Sequence, residues 1–174
     1  LGIPAEPLFR SRSAGDVMIA FPCRGYKIST DANNKITVSI TDEMDKTGFS
    51  YKAFKRGSTL KETMYVGAYE GYESSSKLRS LSGKTPTGNK LFGAFRTLAQ
   101  ANGSGYDMLA YYPLVYLHCC MVLYCKSLDV QTSIGYGYVD SSNTGPHTTG
   151  GTNTNGMFYG TTANKTSQCK AFRS

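Results

Sequence analysis

Charge is scarce in this chain. Asp, Glu, Lys and Arg make up 18% of its 174 residues, and no basic run gathers the formal +7 charge in one place. Nucleic-acid binders usually concentrate their lysines and arginines in a stripe. The scatter therefore argues against that partner: a solvated basic surface is the expectation, with a weak attraction to anionic polymers such as those of cell walls as the alternative. No Cys-x-x-Cys pair occurs among the cysteines at 23, 119, 120, 125 and 169, which excludes the usual zinc spacing. Buried free thiols, in a chain folded in a reducing cytoplasm, are the expectation. The acidic groups Asp42, Glu43 and Asp45, and Glu70 with Glu73, do not form an ordered Asp-x-Asp-x-Asp ligand set, so neither a metal nor another cofactor is expected. LGIPAEPLFRSRS lacks the charged start, apolar core and cleavage site of a signal peptide; it also lacks an initiator Met, as a piece of a larger protein would. The one membrane candidate, Met108–Cys125, carries Pro113, His118 and four tyrosines. That makes a poor spanning helix and a better buried one.

What the sequence does hold is 40% hydrophobic residues with 19 glycines and 13 tyrosines, the balance of a globular body with polar, glycine-rich loops. DVMIAFPCRGYKI (16–28) and KITVSIT (35–41) are β-rich, and Ile36, Val38 and Ile40 alternate with Thr37 and Ser39. The intervening STDANN is a turn by composition, so a β-hairpin is expected. Met64, Val66 and Ala68 alternate in a further strand within 62–74, and residues 74–89 read as a loop. A first helix is predicted over 89–101, its apolar face carrying Leu91, Phe95, Leu98 and Ala99, with Thr87 or Asn89 as cap and Gly103 as stop. A second is predicted over 107–127, capped by Asp107, with Pro113 in an early turn or at a kink. Its main face is Leu114, Leu117, Met121, Cys125 and Leu128. The opposite face is also apolar, which predicts a central, nearly enclosed helix.

Three stretches invite a chemical reading. SLSGKTPTGNK (80–90) ends like a phosphate-binding loop, but that motif needs glycine where Leu78 stands, and Pro86 removes an amide. A turn leading into the first helix is the better reading. His118, Cys119 and Cys120 are adjacent, yet neighbouring helical side chains diverge by about 100°. A core histidine beside buried thiols is expected rather than a nucleophile and its base. After residue 134 the sequence is almost wholly Gly, Ser, Thr, Asn and Tyr without periodicity. Tyrosine gives contact area at low entropic cost, and Asn, Ser and Gly adapt to a partner. Tyr136, Tyr138, Asn143, His147, Asn153, Asn155 and Tyr159 are therefore the candidate ligand-binding residues. The competing reading is a loop packed within an assembly.

The stretches FPCRGYKI, TVSITDE, GFSYKAF, YVGAYEG, KLRSLSGKTPTGN, FRTLAQANGSGYD and SLDVQTSIGYGY, in this order over roughly residues 16–138, resemble tail and minor structural proteins of phages and prophages of Gram-positive gut bacteria. The resemblance implies an α+β fold: a C-type-lectin-like, formylglycine-generating-enzyme-like body with short antiparallel strands, two helices and a long Gly/Ser/Thr/Asn-rich loop region. It divides the chain into an N-terminal extension or linker over 1–15 and a single lectin-like domain over 16–174. It also implies a tail-fibre or receptor-binding module of the virion that attaches to a bacterial surface glycan or protein. Other virion proteins would be partners, with a homo-oligomer, a trimer by analogy, and no nucleic acid and no membrane insertion. Members of this group usually continue into a Trp-rich Gly-Asn-Trp segment, whereas this chain has no Trp and ends at Ser174, and its helix reads HCCMVLYC where leucines are usual. The closing segment is thus missing, supplied by another chain, or lost with a fragment. No cysteine site matching the sulfatase-modifying relatives is present, which implies a protein that is not an enzyme. A purely structural virion role, as capsid decoration or baseplate protein, is the alternative, and a thiol hydrolase using Cys120 or Cys125 ranks last.

Overall fold

A computed structural model describes residues 15–129, 146 and 148–150. Among these the chain forms short strands and two α-helices, a mixed α+β class as expected. The order is β1 (Met18–Pro22), β2 (Gly25–Thr30), β3 (Ile36–Thr41), a 3₁₀ turn (Lys52–Phe54), β4 (Lys55–Arg56), β5 (Thr59–Leu60), β6 (Thr63–Gly67), β7 (Tyr72–Ser74), β8 (Lys77–Arg79), α1 (Phe92–Gln100) and α2 (Tyr111–Cys125). The strands pair in twos: β1 with β6, β2 with β3, β4 with β5, and β7 with β8.

The expected hairpin is β2–β3, antiparallel with Gly25 opposite Thr41 and Thr30 opposite Ile36. Its turn works as the composition predicts. The Asp31 carboxylate accepts from the amides of Asn33 (2.8 Å) and Lys35 (2.9 Å), while Asn34 takes a left-handed φ of 60°. The β-rich run 16–28 is not one strand but two, interrupted at Cys23 and Arg24, and the run 62–74 is likewise divided into β6 and β7. Met64 is buried and Tyr65 exposed, as alternation requires. Part of the expected loop 74–89 is a further hairpin, β7–β8. Its two turn residues are Ser75 and Ser76, both at positive φ (50° and 57°). A two-residue turn with both φ values positive normally uses Asn or Gly, so this sequence carried no hairpin signal.

The chain clusters into two compact units. Among the described residues one comprises 15–19, 66–108, 146 and 148–150, and the other 20–65 and 109–129. In the first unit α1 lies against β8 with Ala99 buried, and the Asn102 amide donates to the Leu78 carbonyl at 2.7 Å. Asp16 ties the same unit together. Its carboxylate accepts from Arg79 Nε (2.9 Å) and from the Ser80 amide (2.7 Å), and the buried Ser80 hydroxyl donates to Val17 O at 2.7 Å.

Neither helix starts where its capping signal placed it. Leu91 precedes α1 without a side-chain cap, because Thr87 is used elsewhere: its hydroxyl accepts from the Glu73 amide at 2.8 Å. Asn89 sits at φ 56°, outside the extended region that a cap needs. Gly103 does take a positive φ (134°) just beyond the helix. Asp107 does not cap α2, which begins after Ala110. Its carboxylate instead binds Arg96 Nε and Nη2, each at 3.0 Å, and Gln100 Nε2 at 3.1 Å. Those bonds, that of Arg96 first, hold the Asp107 carboxyl below its ordinary range.

The second unit contains most of the buried apolar side chains. Phe54 is fully buried and Tyr116 is 2% exposed. Tyr116 is the hub, with ring centroids at 5.1 Å to Phe54, 6.2 Å to Phe21 and 6.3 Å to Tyr26, the first two edge-on. The buried face of α2 is Pro113, Tyr116, Cys119 and Cys120. The expected face is the wrong one. Leu114 and Leu128 are exposed and Leu117, Met121 and Cys125 half-buried, on a direction about 130° away at 3.6 residues per turn. Nor is the helix nearly enclosed, since Tyr111, Tyr112, Leu123 and Tyr124 are also exposed. A helix apolar all round offers no periodicity from which to choose a face. Pro113 does fall in the first turn, where its missing amide costs nothing.

Candidate functional site

The seven residues expected to meet a ligand, Tyr136, Tyr138, Asn143, His147, Asn153, Asn155 and Tyr159, lie outside the described residues. Three other groups of side chains can be built from the structure.

The first is the SGKT turn. A phosphate-binding loop works by aiming free backbone amides at the anion. Here the Gly83 amide donates to Thr149 O at 2.9 Å and the Lys84 amide to Thr149 Oγ1 at 3.1 Å. The Thr87 amide donates to Gly71 O at 2.9 Å, and the Thr149 hydroxyl donates to Leu81 O at 2.7 Å. The amides are spent on holding the turn, and Lys84 lies over the Tyr72 ring at 5.6 Å.

The second is the thiol group of α2. Cys119 and Cys120 face the core, while Cys23 and Cys125 are half-buried. Burial pushes the Cys120 thiol up to about 11, an effect that the hydrogen bond from the Tyr116 hydroxyl only partly offsets. Burial also raises Cys119, and it raises Cys23 with help from Asp45. Tyr116 is raised well above its ordinary value, chiefly by burial and then by Cys120. A thiol in this state is a packing group and a hydrogen-bond acceptor, since nucleophilic attack requires thiolate. His118 is exposed and diverges around α2 from Cys119 and Cys120, so it is not the core histidine that the sequence suggested. Cys120 in the native protein should therefore resist iodoacetamide at pH 7.5 and label fully in urea, as peptide mass mapping would show. Because folding raises this thiol from 9.0 to about 11, its stabilising contribution is complete below pH 9 and is lost as pH climbs through about 11. Urea midpoints should accordingly fall across that window, and a midpoint constant from pH 8 to 11 would refute the buried-thiol assignment.

The third is a surface formed by the 3₁₀ turn and the start of α2, which pack together. Lys52 Nζ donates to the Tyr112 hydroxyl at 3.3 Å and lies 4.9 Å from the centre of the Tyr112 ring. Tyr111 meets Tyr112 edge-on at 5.5 Å and remains 71% exposed. Leu109 and Leu114 are exposed beside them in sequence. One tyrosine is covered by a cation and the other offers an open ring face, so the surface can stack a flat apolar ring and attract an anion. Sequence reading missed it because 42–58 appeared irregular and polar and 108–125 appeared enclosed. The available signal was KAFKR, in which charge and aromatic character interleave.

Among the described residues no three His, Cys, Asp or Glu side chains come together as a metal site, and no helix is long and apolar enough to cross a membrane. No protein-family model matches the chain, and searches of the curated proteins and of the solved structures gave no match.

Proposed function

We propose that this chain is a phage virion protein, a tail-fibre or receptor-binding module that attaches the particle to the bacterial surface without catalysing a reaction. The ordered set of stretches over roughly residues 16–138 supports the virion reading, and the mixed α+β body with two helices is compatible with a C-type-lectin-like module. The binding role rests on one observation above all. The sequence concentrates tyrosine with Asn and Gly in the segment 136–159, and among the described residues Tyr111 stands exposed. Partners under this reading are a surface glycan or protein, other virion proteins and further copies of the chain, by analogy as a trimer. Particles carrying a variant with 136–159 replaced by a Gly/Ser segment of equal length should lose at least tenfold in adsorption rate to host cells. Undiminished adsorption removes that segment from the attachment face.

A purely structural role, in capsid decoration or the baseplate, is favoured by a different observation. Apolar side chains are left in the open on both helices: Leu91 (84% exposed) and Phe92 at α1, Leu123 and Tyr124 on α2. Such residues are what a subunit contact would cover. A cryo-EM map of the particle separates the two roles, since an attachment module must sit at a distal tip.

A further inference from the structure

We infer that the Lys52–Tyr111–Tyr112 surface binds an anionic polysaccharide, through residues other than those of 136–159. The inference rests on the attachment reading and names a ligand class for it.

Between Asp45 and Glu62 the charge of the chain is one-signed. From Lys46 to Lys61 the chain carries Lys46, Lys52, Lys55, Arg56 and Lys61 and not one Asp or Glu. Lys46 is compensated by Glu43, its Nζ 2.6 Å from the carboxylate. Among the described residues none of Lys52, Lys55, Arg56 or Lys61 pairs with a carboxylate. Arg56 spends Nη1 on the carbonyls of Ala53 (3.2 Å) and Lys55 (2.8 Å), which fixes its guanidinium beside the 3₁₀ turn. The Lys61 amide donates to Phe54 O at 3.0 Å, which returns the far end of this basic stretch to the same turn.

The aromatic groups select among anions. A single-stranded nucleic acid is best held by successive open, parallel ring faces. Tyr111 and Tyr112 are inclined at 68°, and Lys52 lies over the Tyr112 ring, so only Tyr111 presents an open face. One open face next to the Lys52–Tyr112 pair suits a polymer of sugar rings in which an apolar ring face rests on Tyr111. Charged substituents on neighbouring sugars then reach Lys52, Lys55 and Arg56. Several weak contacts along one polymer add up through effective concentration.

Hyaluronan fragments are a suitable probe, because a carboxylate recurs on every second sugar; neutral dextran, a dT20 oligonucleotide and anionic phospholipid vesicles serve as comparisons. The purified chain should bind hyaluronan in preference to all three, more weakly as salt rises from 50 to 300 mM. Tyr111→Ser and Lys52→Gln should each weaken binding on the order of tenfold, and Lys55→Gln with Arg56→Gln should reduce the salt dependence. These side chains lie outside the core, so unchanged thermal melts are expected, and the Lys55/Arg56 pair decides the case if either single variant misfolds. Variants that bind like the parent, or tighter binding of dT20 or vesicles, overturn the inference. If hyaluronan binding fails while particles still adsorb through 136–159, this inference falls and the attachment reading stands. If binding holds but particles lacking the chain adsorb normally, the attachment reading falls and the binding surface stands.

Discussion

Phe54→Ala is expected to destabilise the unit formed by 20–65 and 109–129 by about 3–5 kcal/mol, enough to unfold a domain of ordinary stability in part at 37 °C. Phe54 is fully buried, and it links the 3₁₀ turn to α2 through the edge-on contact with Tyr116 at 5.1 Å. Truncation removes the apolar transfer energy of the ring and leaves a cavity. That cavity cannot close easily, because Tyr116 is also held by Phe21 and Tyr26 and its hydroxyl is bonded to Cys120. The backbone at Phe54 adds to the effect: its carbonyl accepts from Lys61 and its amide donates to Tyr51 O at 3.0 Å, so a shift of the turn loosens both neighbours. The chain has no tryptophan, so near-UV circular dichroism of the buried tyrosines is the natural signal for a urea titration. Phe54→Leu keeps most of the volume and should cost only about 1–1.5 kcal/mol. A loss below 1 kcal/mol for the alanine variant would mean that Phe54 is not at the centre of this core.

What the sequence revealed and what it concealed follow from one physical distinction. Features specified by local chemistry were legible. Asp31 and Asn34 form their turn whatever surrounds them, and Met64 and Tyr65 obey strand alternation. Features decided by competition between distant groups were not. Thr87 and Asp107 are both good capping residues, yet Glu73 claims the first and Arg96 with Gln100 claims the second. The orientation of α2 was illegible for a related reason: with apolar residues on every side, only the positions of Phe21, Tyr26 and Phe54 decide which face turns inward. The surface at Lys52 inherits the same blindness. Its components lie 60 residues apart in sequence and meet through the hydrogen bond and the ring contact between Lys52 and Tyr112. The candidate residues from Tyr136 to Tyr159 rest on composition alone and lie outside the described residues.

Gly25→Ala should cost about 3 kcal/mol although it adds a single methyl group, because overpacking a rigid site carries that order of penalty. The backbone at Gly25 is ordinary strand, so the cost is purely one of space. A Cβ there would lie 2.6 Å from Tyr51 Cζ, 2.8 Å from its hydroxyl oxygen and 3.0 Å from Phe49 Cβ. A flexible side chain would swing aside, but Tyr51 cannot. Its ring is buried, its hydroxyl donates to Glu43 O, and that hydroxyl also accepts from the Lys46 amide at 3.0 Å. Nor can β2 retreat, since Tyr26 exchanges backbone hydrogen bonds with Ser50 at 3.0 and 2.8 Å and Gly25 is in register with Thr41. The methyl group must therefore break the Tyr51 hydrogen bonds or separate β2 from residues 49–51. Gly93→Ala tests the argument with the opposite sign. Beyond its chain neighbours and its own helix backbone, no atom of the described residues lies within 4 Å of its added Cβ, it sits within α1, and the substitution should stabilise by about 0.5–1 kcal/mol. Denaturant midpoints for the two variants should move in opposite directions. Pairing Gly25→Ala with Tyr51→Phe identifies the cause: if the hydroxyl contact dominates, the double variant recovers part of the loss, and strictly additive losses would assign the penalty to the ring carbon Cζ, which phenylalanine keeps, and to Phe49 Cβ.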